Sequence, residues 1–257
     1  MAFSMDYRGS TNSIKFSNNE VSIYEYDWDI REYNHYITSY EVIYENKVPF
    51  LLLGEPVNAK WLFLHSEYFS VIYKDPTSSL FDITGHVSEY NNIRNGDYEA
   101  TSFLTEGCKV YKPTNLGLNN PDAPWVEGVA GDGIGEKIFL TWQTWLERDG
   151  SRGGMGALII SNGYVSYEKP YLYEKNNRVR KIRVTDSEGA FSFVTELEDT
   201  PNPQVVFLPS VPEKMEIEIL SVYKGTIWDD TCINSIEGLE MSQAIKLKEA
   251  MEGREPK

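Results

Sequence analysis

Apolar and polar residues alternate along most of this chain with a period of two, the spacing of strands that bury one face. The pattern is plainest in EKMEIEILSVY, where Met215, Ile217 and Ile219 share one side and Glu216 and Glu218 the other. That stretch predicts a half-buried antiparallel strand. YEVIYE (40–45) and IFLTWQ alternate as well, while VPFLLLG (48–54) is continuously apolar. AKWLFLHSEYFSVIYKD (59–75) reads as two strands turning near Ser66 and Glu67, and Asn-Gly in NNIRNGDYE (91–99) marks another turn. Further strands are predicted in ALIISNGY, in QVVFLP, and in RVRKIRVTD and FSFVTELED, which form a hairpin about Ser187–Ala190. On this alternation Arg180 lies on the face of Ile182 and Val184, which points to a buried arginine paired with a carboxylate. Only residues 239–252 read as a helix, short, charged and peripheral.

These elements predict an all-β protein in four parts. A polar segment, 1–18, precedes a small β-rich domain of unassigned type over 19–98. A β-sandwich occupies 99–238, and a charged tail fills 239–257. Short strands with turns between them suggest a sandwich for the second part. Residues 107–124, with Pro113, Pro121 and Pro124, form a long irregular connection.

Charge narrows the choice of partner. With 39 Asp and Glu against 24 Lys and Arg, the formal net charge is -15, which argues against nucleic acid or an anionic membrane surface. The 17 Tyr and 6 Trp suit strands and β cores. No apolar run reaches the roughly 20 residues of a membrane helix. The start, MAFSMDYRGSTNS, lacks the apolar centre of a signal peptide, so the expectation is a cytoplasmic protein or one whose leader has been removed. His35, His65 and His86 are scattered, and no Cys–His metal cluster appears.

The segment W-V-E-G-V-A-G-D-G-I-G-E (125–136) packs four glycines and three carboxylates into a loop. A phosphate-cradling turn would follow a strand and open a helix. Here prolines precede the segment, a strand pattern follows it, and Asp132 and Glu136 would repel phosphate. It reads as a shaped sandwich loop. Sugar sites pair an aromatic platform with planar polar groups. Trp125 reads equally as a rim platform or a core plug, and Glu127 as a ligand acceptor or as a partner for nearby backbone N–H groups. Asn162, Tyr164, Tyr167, Tyr171 and Tyr173 crowd one loop, either as a binding rim or as a cover for the open end of a sandwich. Arg178, at a strand start, either reaches a ligand or joins an internal ion pair. Asp229 and Asp230 are adjacent on extended chain, so they face opposite ways and cannot flank one bond. No nucleophile elbow appears and no histidine lies beyond residue 86, so hydrolysis finds little support.

Seven segments, in order, carry a family resemblance: A-T-S-F-L-T-E (100–106), Y-K-P-T-N-L (111–116), 125–136 itself, I-S-N-G-Y (160–164), N-N-R-V-R-K-I (176–182), L-E-D-T-P-N-P-Q (197–204) and V-Y-K-G-T-I-W-D-D-T-C-I (222–233). Together they resemble the discoidin-like NADase-type glycan-binding domains, modules of secreted bacterial proteins. The resemblance implies a galactose-binding-like jelly-roll sandwich at 99–238 that binds carbohydrate through loops at one end, without catalysis, in an extracellular or cell-surface protein. A protein-interaction module on the same rim is the alternative. No cofactor is required. A structural calcium is implied in related folds, here near Asn119, Asp122 and Glu237, but the acidic positions that help hold it are replaced at Gly117-Leu118-Asn119-Asn120 and at Asn234-Ser235. Relatives often carry an end-to-end disulfide, which would join Cys108 and Cys232; two buried free thiols are the alternative.

Overall fold

The structure is a computed structural model that describes residues 4–5, 12–17, 19–27, 29–65, 69–75, 78–83, 96–118, 120–147, 150 and 152–253. The first half is an antiparallel meander. Its strands are β1 (Ser4–Met5), β2 (Asn12–Ser17), β3 (Glu20–Asp27), β4 (Glu32–Glu45), β5 (Val48–Leu53), β6 (Lys60–His65), β7 (Phe69–Asp75) and β8 (Ser78–Ile83), each paired with the next. One face is curled around Ile14, Phe16, Val21, Ile23, Leu51, Leu53, Trp61, Phe63 and Ile72. Phe16 of β2 meets Phe63 of β6 at 5.8 Å between ring centres, so the sheet closes over its own core. Ile14 and Phe16 lie within the polar segment 1–18, whose composition hid a core strand. VPFLLL buries Leu51 and Leu53 in the meander core and Val48 and Phe50 against the other half of the chain, while Leu52 stays exposed.

The second half carries β9 (Asp97–Ala100), β10 (Thr105–Glu106), β11 (Lys109–Val110), β12 (Trp125–Val126), β13 (Lys137–Thr141), β14 (Trp145–Leu146), β15 (Arg152–Gly153) and β16 (Met155–Asn162). There follow α1 (Leu172–Lys175), β17 (Asn177–Asp186), β18 (Ser192–Glu196), β19 (Gln204–Phe207), β20 (Lys214–Tyr223), β21 (Thr231–Glu240) and α2 (Met241–Met251). Hydrogen bonding runs β19-β16-β21 in one layer and β17-β20-β13-β9 in the other, with a two-residue parallel bridge from β21 to β17 between them. Leu158, Ile160, Ile233 and Ile236 of the first layer pack on Ile138, Leu140, Ile182, Val184, Ile217 and Ile219 of the second. This is an all-β jelly-roll sandwich behind a β-rich first domain. β20 buries Met215, Ile217 and Ile219 as its alternation predicts. The predicted hairpin forms with Thr185 opposite Ser192.

Two local readings are corrected. Arg180 is exposed and pairs with Glu196 at 2.8 Å, whereas Arg178 is buried. The β17–β20 register shifts between Val179 and Lys181, and a bulge resets which side chains face the core. The tail helix α2 is less peripheral than its charge suggests, because Ala244 and Leu247 pack on Ala157, Ile159 and Leu239.

Candidate functional site

The sandwich ends that carry the C-terminus of β16 and the N-termini of β12, β17 and β21 converge on one cleft of about 290 Å³. Its floor is Val126, Tyr164 and Cys232, which pack together with Tyr111, Leu104 and Leu172. Its walls are the β10–β11 hairpin, with Glu106 and Lys109, the segment from Lys169 to Asn176, and the loop bearing Trp228 and Asp230. Tyr171 and Trp228 are each 38 % exposed. The ammonium of Lys175 lies 4.4 Å from the Tyr171 ring centre and 5.4 Å from that of Trp228, a shared cation–π contact that fixes the two rings relative to each other. Glu106, Lys109, Lys169 and the Asp230 carboxylate make no side-chain hydrogen bond or ion pair among the described residues. The cleft therefore offers both donors and acceptors next to two ring edges or faces. Burial, then the charges of Glu106 and Asp229, push the Asp230 carboxyl above its usual range. Asp229 points away and meets Lys224 at 3.3 Å, as expected for neighbours on extended chain.

Of the residues expected from sequence to bind a ligand, Tyr164 and Tyr171 reach this cleft and the others do not. Tyr164 is mostly buried at its floor; burial raises its phenol well above the ordinary range, and its hydroxyl donates to the Asp122 carbonyl at 3.5 Å. Trp125 is a core plug: it is fully buried in the sandwich core, and its Nε1 donates to the Ser102 carbonyl at 3.1 Å. Glu127 is enclosed and accepts from the backbone N–H of Val129 (2.7 Å) and Thr231 (3.4 Å), closing the Gly-rich loop onto β21. Burial raises its pKa, with those two hydrogen bonds offsetting part of the effect. Gly133 comes so close to the Glu127 side chain that an added Cβ would stand 2.6 Å from Cγ, and its φ of +62° already disfavours a side chain. Asn162 is fully buried and holds Val179, donating to its carbonyl at 2.6 Å and accepting from its N–H at 3.0 Å.

Tyr167, Tyr173 and Arg178 belong to the joint between the two halves. Val165 and Tyr173 are fully buried against Val48, Phe50, Leu62 and Leu64 of the meander, with Tyr167 packed alongside. The Tyr167 hydroxyl donates to the Lys60 carbonyl, and its ring stands edge-on to Phe50 at 6.1 Å. Arg178 makes a bidentate pair with Asp199, at 2.9 Å and 3.0 Å, and lies 5.4 Å from the Tyr173 ring centre. Lys47 of the meander completes the pair's other side at 3.0 Å from Asp199. Burial alone would push the Asp199 carboxyl up, but the hydrogen bonds from Arg178 and Lys47 outweigh it and hold the pKa down. The ligand-rim reading of Trp125, Glu127, Asn162, Tyr167, Tyr173 and Arg178 is thus corrected: their polar atoms and ring faces are already used inside the fold. Sequence reasoning missed Trp228, Glu106, Lys109, Lys169 and Asp230. Trp228 beside two aspartates was the one visible signal.

Cys108 and Cys232 are not bridged. Cys108 is exposed at the tip of the β10–β11 hairpin, and Cys232 is buried in the cleft floor. Burial, with the nearby charges of Asp230 and Glu127, raises the Cys232 thiol well above its usual pKa, so it stays a thiol. Asn119 lies outside the described residues. Asp122 accepts from Ser166 with one carboxylate oxygen while the other is buried without a hydrogen bond among the described residues, and Glu237 is buried. No three His, Cys, Asp or Glu side chains converge for a metal among the described residues.

The chain is similar in structure to the family 32 carbohydrate-binding module of C. perfringens NanJ, solved in complex with galactose, at 15% identity and a TM-score of 0.39, covering 57% of this chain and 96% of that one. It is also similar to the fifth such module of a Clostridium perfringens family 89 protein, solved with GalNAc-β-1,3-galactose, at 9% identity and a TM-score of 0.40, covering 58% and 99%. No curated protein sequence matches. The sequence profile of the NAD glycohydrolase translocation F5/8 type C domain matches residues 89–238, more than half of the chain, and takes in β9 through most of β21 together with every wall of the cleft. The protein belongs to that discoidin-like family, with a galactose-binding-like fold.

Proposed function

We propose that the protein is a non-catalytic glycan-binding module, acting outside the cell or at its surface, whose ligand enters the cleft between Tyr171, Trp228 and Asp230. The observation that carries the reading is the pairing of two partly exposed rings with side-chain donors and acceptors that no described side chain engages. Apolar C–H faces of a pyranose pack on such rings, while Lys109, Lys169, Glu106 and Asp230 complement its hydroxyls. The formal balance of two cations and two anions suits a neutral sugar. A cleft of about 290 Å³ accommodates a ligand of one or two rings.

Titration calorimetry with galactose and N-acetylgalactosamine, sugars held by the similar modules, and a glycan array test the reading. Binding that falls at least about tenfold in Trp228→Ala supports it, by analogy with the energy concentrated in buried aromatic anchors. A protein with no array signal, or one whose signal survives Trp228→Ala and Tyr171→Ala together, overturns it. The second reading, a protein partner on the same rim, draws on Phe103, Val129, Ile134 and Ile227, exposed apolar side chains on the neighbouring loops. It is supported if the array is silent and a purified partner binds in a Trp228-dependent way.

A further inference from the structure

The segment 164–173 has two customers. Tyr164, Lys169 and Tyr171 face the cleft, whereas Val165, Tyr167 and Tyr173 face the meander. Two lines of contact then run from the meander to Trp228 on the opposite wall. In the first, Tyr173 sits inside α1, whose end carbonyls tie down the Trp228 loop. Glu174 accepts from Thr226 N–H at 3.0 Å, and Lys175 accepts from Ile227 and Trp228 at 3.2 Å and 2.9 Å. In the second, Lys47 and Asp199 clamp Arg178, which donates to the Asn176 carbonyl at 2.9 Å and the Lys224 carbonyl at 3.2 Å. Gly225 packs against the same turn, where an added Cβ would stand 2.3 Å from the Lys175 carbonyl, so no slack is left between the two segments.

We propose that the N-terminal meander is a positioning part of the cleft, holding Tyr171 and Trp228 in one arrangement through Tyr173–α1 and through Lys47–Asp199–Arg178. This assigns a role to the meander and rests on the cleft being the binding site. Lys47, Tyr167 and Asp199 are positioning residues that do not line the cleft.

The test is amide hydrogen exchange on the full chain, which needs no glycan. In Lys47→Met and Tyr167→Phe, amides of 171–176 and 224–230 exchange about two- to fivefold faster, and in Phe50→Ala about tenfold or more, while β16 and β21 keep wild-type protection. Lys47→Arg restores the wild-type rate. Ile23→Ala, in the meander core away from the joint, leaves both segments slow so long as the protein stays folded. Unchanged exchange at 224–230 in Lys47→Met, Tyr167→Phe and Phe50→Ala overturns the proposal, as does equal acceleration by Ile23→Ala at matched global stability. If galactose binds, its affinity falls in Lys47→Met and returns in Lys47→Arg. If it does not bind while the exchange effects appear, the coupling stands and the glycan reading fails.

Discussion

The joint and the cleft are made from one short segment and from the same kinds of side chain, yet they use them differently. Tyr173, in the joint, is fully buried with its hydroxyl 3.4 Å from Asp199 and its ring under Arg178. Tyr171, two residues earlier, keeps more than a third of its surface in solvent and shares a lysine with Trp228. The joint satisfies its charges: Arg178 has donors bound to a carboxylate and to two carbonyls. The cleft leaves its charges without hydrogen-bond or ion-pair partners among the described residues. A polar aromatic surface that is internally satisfied holds a fold together, and one that is not is prepared for something else.

The strongest test of this contrast is truncation. Tyr173→Ala should destabilise the protein by about 3–5 kcal/mol, the usual cost of deleting a buried aromatic, measured by urea unfolding. Arg178→Ala should cost about 3 kcal/mol or more in the same assay, because Asp199 loses its buried partner. A cost below about 1 kcal/mol for either would erase the distinction between joint and cleft. A smaller effect comes from pH. The Glu127 carboxyl is raised above its ordinary 4.5 by burial. The native state therefore binds this proton more tightly than the unfolded chain. Its contribution is present in full at pH below about 4.5 and is lost as pH rises through the folded value. Unfolding midpoints followed from pH 4 to 7 should show this falling component, with Asp230 adding to it, and Glu127→Gln should remove the Glu127 part. Asp199 and Asp132, held low, act in the opposite sense, their stabilisation being lost as pH falls below about 4. The smallest effect on stability belongs to the cleft: Trp228→Ala should change it by no more than about 1 kcal/mol while affecting ligand binding most. A large loss of stability in Trp228→Ala would make that ring part of the fold.

Much of the fold was legible in the residues. The alternation of Met215, Ile217 and Ile219 placed β20 correctly, and seven short segments in order identified the sandwich. The site was less legible. A tyrosine-rich loop looks the same whether it covers a ligand or a neighbouring domain, because sequence shows which side chains are aromatic and not what will press on them. Val48, Phe50, Leu62 and Leu64 come from more than a hundred residues away in the chain to cover Tyr173. Arg178 holds the buried ion pair that simple alternation gave to Arg180, because the register of β17 shifts past Val179. Asp230 and Trp228 were seen beside each other in sequence, but their place opposite Tyr171 depends on α1 binding the 224–228 loop.

By itself the sequence determined the all-β class, the acidic net charge and the family of the module, since these follow from local periodicity, composition and short motifs. Tertiary structure alone decided which aromatics are free. That choice depends on burial against distant strands and on one register shift, and neither leaves a mark in the local pattern of apolar and polar residues.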